Sequence, residues 1–260
     1  MRSIYFSLYA LLILITGCSQ INNMTQYQGN RVLSMEKEPK IQKANILNNQ
    51  GTDAYVDGNY PLALKYFYQS LLIKEEVLGI EDLNTAVGYN NLGLVYKKQG
   101  KLHKAQIYIE KALKIREKFL GQDNSKTAES YNNLGTLYAS MGKTSLAINL
   151  TEKTIQIKKN IINKERIDMA IGYSNLAILY DQLGDTQKAI AYYKQALEIN
   201  KEVFGEAHDI TQRNYQDITQ LYFALNDYEN AKLYAQQMIK EDAQLELEDI
   251  NINSHIKKIP

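Results

Sequence analysis

Apolar residues return at helical spacing in a pattern that is itself periodic. Between residues 85 and 121, Tyr89, Leu92, Val95 and Tyr96 recur at short intervals, which places them on one face of an α-helix. Gly100 interrupts the run. A second apolar stripe follows Lys101, with Leu102, Ala105, Ile109, Ala112 and Leu113, and closes at Gly121. Two helices joined at a glycine are predicted. The arrangement returns every 42 residues: Tyr96, Tyr138, Tyr180 and Tyr222 keep that interval, as do Ala63, Ala105, Ala147, Ala189 and Ala231. The five copies keep register without an insertion or deletion.

The helix ends carry their own signature. Gly58, Gly100, Gly142, Gly184 and Asn226 close the first helix of each copy, and Gly79, Gly121, Asn163 and Gly205 close the second. Glycine and asparagine best tolerate the left-handed backbone just past a helix C-terminus, so both series are expected there. Thr85 is read as an N-cap that accepts a hydrogen bond from a free backbone N–H. Gly93 falls mid-helix, where glycine costs about 1 kcal/mol relative to alanine. Its counterparts Gly51, Gly135, Ala177 and Thr219 are all small, which predicts close approach of the partner helix carrying the Ala105 series. Each hairpin must bury its apolar face on its neighbours. The expected fold is all-α, an α-solenoid of five tandem hairpins.

Tyr89, Leu92, Gly93, Tyr96, Ala105 and Ala112 follow a known order, and residues from about 45 to 240 resemble the tetratricopeptide repeat (TPR). The ordinary repeat has about 34 residues. The longer unit, the Tyr-Asn-Asn-Leu-Gly segments at 89–93 and 131–135, and Val-Phe-Gly-Glu-Ala-His-Asp at 203–209 are similar to the kinesin-light-chain subtype. That resemblance implies a right-handed superhelix whose first helices line a concave groove for an extended or helical peptide. It implies groove positions two residues before the motif glycine: Asn49, Asn91, Asn133, Asn175 and Asp217. An amide both donates and accepts, so the row either clamps a peptide backbone or ties neighbouring hairpins together. One turn further on the units differ, with Tyr55, Lys97-Lys98, Ala139-Ser140, Asp181-Gln182 and Phe223-Ala224. If these face the groove, Lys97 and Lys98 near one end and Asp181 further along orient a ligand of matching polarity. The first unit has Gln50 and Ala54 at the motif leucine and tyrosine, and the fifth has Asp217-Ile218-Thr219. Both read as capping units. Tyr96 and its counterparts are expected in the repeat core, and Tyr66-Phe67-Tyr68 and Tyr192-Tyr193 between hairpins.

Charge and chemistry narrow the function classes. Thirty basic residues stand against 29 acidic ones, without the basic stripe that a nucleic-acid partner requires. His103, His208 and His255 lie far apart and have no partners at metal-ligand spacing. No nucleophile–base pair, phosphate-binding loop or carboxylate pair stands out from the repeat, and Lys104 and Glu110 fall on outer helix faces. No metal, cofactor or catalytic activity is expected.

The N-terminus adds a location. Met1-Arg2 precedes an apolar stretch over residues 3–16, short of the roughly 20 residues that span a bilayer, as in a signal peptide. The chain's single cysteine closes Ile15-Thr16-Gly17-Cys18, which resembles the lipobox of bacterial lipoproteins. The resemblance implies lipidation at Cys18, and Ser19 in place of aspartate leans towards the outer rather than the inner membrane. The expected layout is a signal over 1–17, a lipidated tether over 18–40 and five units over 41–243. These run about 42–83, 84–125, 126–167, 168–209 and 210–243, with a C-terminal helix or tail over 244–260. The expected function is a membrane-anchored scaffold or adaptor at the bacterial cell envelope, holding a protein or peptide in its groove; the alternative is a peptide-responsive sensor.

Overall fold

The computed structural model describes residues 37–159 and 166–238. The proposed signal, Cys18 and most of the tether lie outside the described residues, as do Asn163, His255 and the C-terminal tail. Among the described residues ten helices follow one another: α1 (37–56), α2 (Tyr60–Leu78), α3 (Leu83–Lys98), α4 (Leu102–Leu120), α5 (Ser125–Ser140), α6 (Thr144–Lys159), α7 (Arg166–Gln182), α8 (Thr186–Phe204), α9 (Asp209–Ala224) and α10 (Tyr228–Ala235). Each odd-numbered helix and its successor form a hairpin, so the predicted all-α solenoid of tandem hairpins is the observed fold. Among the described residues there is no strand, and no helix is long and apolar enough to cross a membrane.

The chain divides into two compact units, with the division inside α3, between Gly88 and Tyr89. In the first, residues 37–40, expected in the tether, already form the start of α1. Asn59 caps α2 by accepting from the Leu62 N–H at 3.2 Å, and Pro61 occupies the opening turn, where its missing N–H costs nothing. Phe67, Leu71, Ala44, Ala54 and Ala63 are all buried, and the buried Ser70 hydroxyl donates to the Ala44 carbonyl at 2.7 Å.

In the second unit each helix packs on the next in sequence. The core repeats with the sequence: Ala105, Ile109, Leu134 and Leu137 form one cluster, and Ala177, Ala189, Tyr193, Leu197 and Ile218 another. The small-residue expectation is met at Gly93, where a Cβ would stand 2.5 Å from Ile109 Cγ1 and 3.2 Å from the Ala105 carbonyl oxygen. The core tyrosines stack within their hairpins, Tyr96 on Tyr108 at 5.5 Å and Tyr180 on Tyr192 at 5.4 Å. Lysines lie over the same rings, Lys104 over Tyr96 and Lys188 over Tyr180. Such contacts hold the long stems of surface lysines against the repeat.

Two expectations at the helix ends are corrected. Thr85 is not an N-cap: it lies inside α3, fully buried, and its hydroxyl donates to the Gly79 carbonyl at 2.8 Å. Thr127 and Thr211 bond the carbonyls of Gly121 and Gly205 in the same way, at 2.7 and 2.8 Å. The caps are Asp82, Asn124 and His208, which accept N–H bonds from Asn84, Lys126 and Ile210. His208, which the sequence places in no metal site, therefore has a local structural duty as a cap.

The glycine series also differ. Gly58, Gly100, Gly142 and Gly184 have φ of 74°, 72°, 72° and 80°, and Asn226 matches them at 58°, the left-handed region expected. Gly79, Gly121 and Gly205 instead combine φ of 94°, 81° and 88° with ψ of 163°, 170° and 169°. That extended region is essentially confined to glycine, because the chain must leave the helix straight towards the threonine that bonds its carbonyl. Gly121→Asn is therefore expected to cost about 1 kcal/mol or more, whereas Gly100→Asn costs less. Urea midpoints of the two variants, compared in one experiment, check the contrast.

A buried polar position links successive hairpins. Lys74, Arg116, Lys158 and Asn200 share one register and are all buried. Arg116 Nη1 donates to the Lys126 carbonyl at 2.9 Å and to Ser130 Oγ at 2.8 Å. Lys158 Nζ meets Asp168 at 2.5 Å, and Asn200 donates to Asn214 at 2.6 Å. Arg116, Lys158 and Asn200 each tie the end of a second helix to the start of the next first helix.

Candidate partner-binding groove

First helices carry the candidate positions because residues three and four apart share a helix face. On α7 that face reads Ile171, Asn175, Ile178 and Gln182. The two isoleucines are 50% and 45% exposed, while Asn175 between them is half-buried. Neither isoleucine was singled out from sequence. Their exposure is an apolar stripe that the hairpin packing does not consume.

The asparagine row does not behave uniformly. Asn49 is exposed on α1, and Asn91 is half-buried on α3. Asn133 donates its amide to Asn90 Oδ1 at 2.8 Å, so this member ties α5 to α3. Asn175 lines a cavity between α5 and α7. Asp217 accepts a hydrogen bond from the Tyr193 hydroxyl; burial pushes its carboxyl above the ordinary range, opposed by the Arg213 charge and that bond.

The charged positions separate into two neighbourhoods. Lys97 donates to Thr136 Oγ1 at 2.7 Å, and its ammonium is held below the ordinary lysine range by burial and by the adjacent Lys98. Lys98 itself is exposed. Asp181 is exposed on α7. Its charge and that of Asp217 act together on Tyr193, whose hydroxyl burial, above all, pushes up. The structure thus brings Asp181 and Asp217 to one aromatic hydroxyl, a grouping that sequence spacing did not suggest.

The raised Asp217 carboxyl has a sign that can be tested. The folded state holds this proton more tightly than the unfolded chain, so stability falls as pH rises through the unfolded value and on through the folded one. Asp217→Asn, which restores the amide present in the other units, is expected to stabilise the protein at pH 7. The gain should fade below the ordinary carboxylate range. Thermal melts of both proteins at pH 3 and pH 7 check this; an unchanged difference across that range contradicts it.

The cavity measures about 140 Å³. Gly135, Thr136, Ala139 and Thr151 form one side, and Asn175, Ile178 and Gln182 contribute to the other. Among the described residues no group of His, Cys, Asp and Glu is arranged to hold a metal ion. The arrangement can contact a chain through amides, exposed isoleucines and a small recess.

Comparison with known proteins agrees with this fold. Residues 42–118, 85–160 and 168–240 match the tetratricopeptide repeat family. No curated protein matches the chain. Among solved structures, nearly identical TPR-like repeats of the kinesin-light-chain kind from Podosopora anserina are 17% identical at a TM-score of 0.65, covering 84% of this chain and 99% of that one. BtubC (BKLC) of P. vanneervenii is 18% identical at 0.64, over 89% and 93%. PilF of Pseudomonas aeruginosa is 16% identical at 0.58, over 76% of each chain. At these identities the likeness shows the fold alone. TPR proteins mediate protein–protein interactions, and their repeat is generally a non-catalytic scaffold. The chain belongs to the tetratricopeptide repeat family.

Proposed function

We propose that this protein is a lipid-anchored adaptor at the bacterial cell envelope that holds a segment of a partner protein on the first-helix face of its repeats. The observation that carries the binding role is the α7 surface, where exposed Ile171 and Ile178 flank Asn175 at the mouth of a cavity. Apolar side chains left in water beside a recess are typical of a protein-docking patch. The amide supplies a donor and an acceptor for a backbone. The anchor is carried by the position of the single cysteine, Cys18, at the end of the apolar stretch 3–16, because acyl chains on one residue contribute about 0.8 kcal/mol per buried methylene. The same position leans the assignment to the outer membrane through Ser19.

The test is capture from detergent-solubilised envelopes by the full chain and by two variants. Asn175→Ala and Ile178→Asp are expected to lose most of the captured partner while melting as the parent does, since neither side chain is fully buried. Capture that is indifferent to both variants contradicts the groove. Cys18→Ser is expected to move the protein from the membrane to the soluble fraction, and a protein that stays membrane-bound contradicts the anchor.

A further inference from the structure

The cavity between α5 and α7 has an origin that can be read from the 42-residue register. In the preceding hairpin the corresponding positions are Gly93, Leu94, Lys97 and Ile109. There the Ile109 side chain sits directly over Gly93, at the distance noted above, and Lys97 crosses to Thr136 on the next first helix. In the following hairpin the place of Ile109 is taken by Tyr193, buried over Ala177. Only the hairpin of α5 and α6 combines a glycine (Gly135) with a small partner, Thr151, and adds Thr136 and Ala139 where Leu94 and Lys97 stood. A Cβ on Gly135 would meet Thr151 Oγ1 at 3.3 Å and Leu150 Cβ at 3.4 Å, so α5 and α6 are close there and the open volume lies between Thr136, Ala139 and Thr151 and the facing α7 residues. The Thr151 hydroxyl is already spent on the Ala147 carbonyl at 2.9 Å. The recess therefore offers no unsatisfied polar group of Thr151 to a ligand.

We propose that this recess is the anchor subsite of the groove and receives one branched aliphatic side chain (isoleucine, leucine or valine) from an extended segment of the partner protein. The inference rests on the groove reading above and deepens it. The occupant is argued from the molecule itself. The space is the one that Ile109 fills one repeat earlier, and an incoming aliphatic group supplies the atoms that Thr151, Thr136 and Ala139 lack. Exposed Ile178 at the mouth covers it, and the Asn175 amide lies beside it for the backbone of the incoming strand. Charge sets the flank. Lys97 Nζ rests on the neutral Thr136 hydroxyl, and no carboxylate among the described residues pairs with it. An acidic residue next to the anchor is therefore favoured over a basic one.

The probe is a set of fluorescein-labelled heptapeptide sublibraries. The central residue is fixed as Ile, Leu, Val, Phe, Trp, Lys or Gly, and the next as Asp or Lys. Their binding to the detergent-solubilised full chain is read by fluorescence anisotropy. The branched aliphatic sublibraries are expected to bind about tenfold or more tightly than glycine, with aspartate preferred to lysine beside them. Thr151→Ile recreates the Ile109 packing inside the recess and is expected to erase the aliphatic preference while leaving the melting temperature equal or higher. Ala139→Leu, which fills the same space from its rim, should do likewise if Thr151→Ile disturbs the fold. A preference that survives both variants overturns the inference, as does a preference for the aromatic or lysine sublibraries. Absence of binding by every sublibrary also overturns it. The groove itself is judged separately, by partner capture with Ile178→Asp.

Discussion

Arg116→Ala is expected to lower the stability of the protein by about 1–3 kcal/mol for the stranded polar partners, with the lost packing of the long stem added to it, seen as a large drop in the urea midpoint. The guanidinium is buried at the junction of α4 and α5, where Nη1 serves both the Lys126 carbonyl and Ser130 Oγ. Glu129 approaches only to 3.9 Å, so the bonds to neutral groups carry the junction. Truncation strands the fully buried Ser130 hydroxyl and leaves a cavity where the long stem had packed. An unmade hydrogen bond at a buried group costs more than the net gain of making it. Arg116→Met keeps the apolar stem and is expected to cost less. Combining Arg116→Met with Ser130→Ala should recover much of the remainder, because both polar partners then leave together. A loss under about 1 kcal/mol for the alanine variant would contradict this account of the junction.

The same substitution at two equivalent glycines is expected to have clearly unequal effects. Gly93→Ala should destabilise by about 1–3 kcal/mol, because its methyl meets Ile109 Cγ1 at 2.5 Å and backbone atoms of Ala105 and Ile109 at 3.2 Å. The helices cannot separate there without opening the cluster of Ala105, Ile109, Leu134 and Leu137. Gly135→Ala meets nothing closer than Thr151 Oγ1 at 3.3 Å, with Leu150 Cβ at 3.4 Å. Those neighbours must give by only a few tenths of an ångström, and the helix propensity of alanine, worth up to about 1 kcal/mol, offsets that cost, so Gly135→Ala should cost clearly less than Gly93→Ala. Calorimetric melts of the two variants beside the parent decide the matter. Equal effects would contradict the looser packing at Gly135.

Much of the fold was legible because a repeat states its constraints several times. Gly93, Gly51 and Gly135 against Ala177 and Thr219 showed a close helix contact before any coordinate, and Asn226 among the glycines showed a left-handed cap. The second glycine series was misread for a physical reason. Sequence reports that φ is positive but is silent on ψ, and the ψ of Gly121 depends on Thr127 pulling its carbonyl. Thr85 was misread likewise, since a threonine near a helix start can accept as a cap or donate backwards to a carbonyl. The asparagine row was visible as a register. Its members nevertheless differ, because Asn133 meets Asn90, Asn175 meets a recess and Asp217 meets Tyr193. Those partners come from other helices, which no single-unit pattern contains. The recess itself was written in the comparison of Leu94, Lys97 and Ile109 with Thr136, Ala139 and Thr151. It became meaningful only once the facing α7 residues were in place.

The central claim is that the first-helix face of the repeats, rather than any other apolar surface, holds the partner. Site-specific photo-crosslinking in the native envelope tests it most directly, with p-benzoylphenylalanine placed at position 178 or 171 on α7 and, as control, at 107 on α4. All three isoleucines are exposed, Ile107 at 55%, so hydrophobicity alone does not separate them. Irradiation should yield a discrete partner adduct from positions 178 and 171 and none from 107. Adducts from position 107 alone, or from all three alike, would contradict the groove.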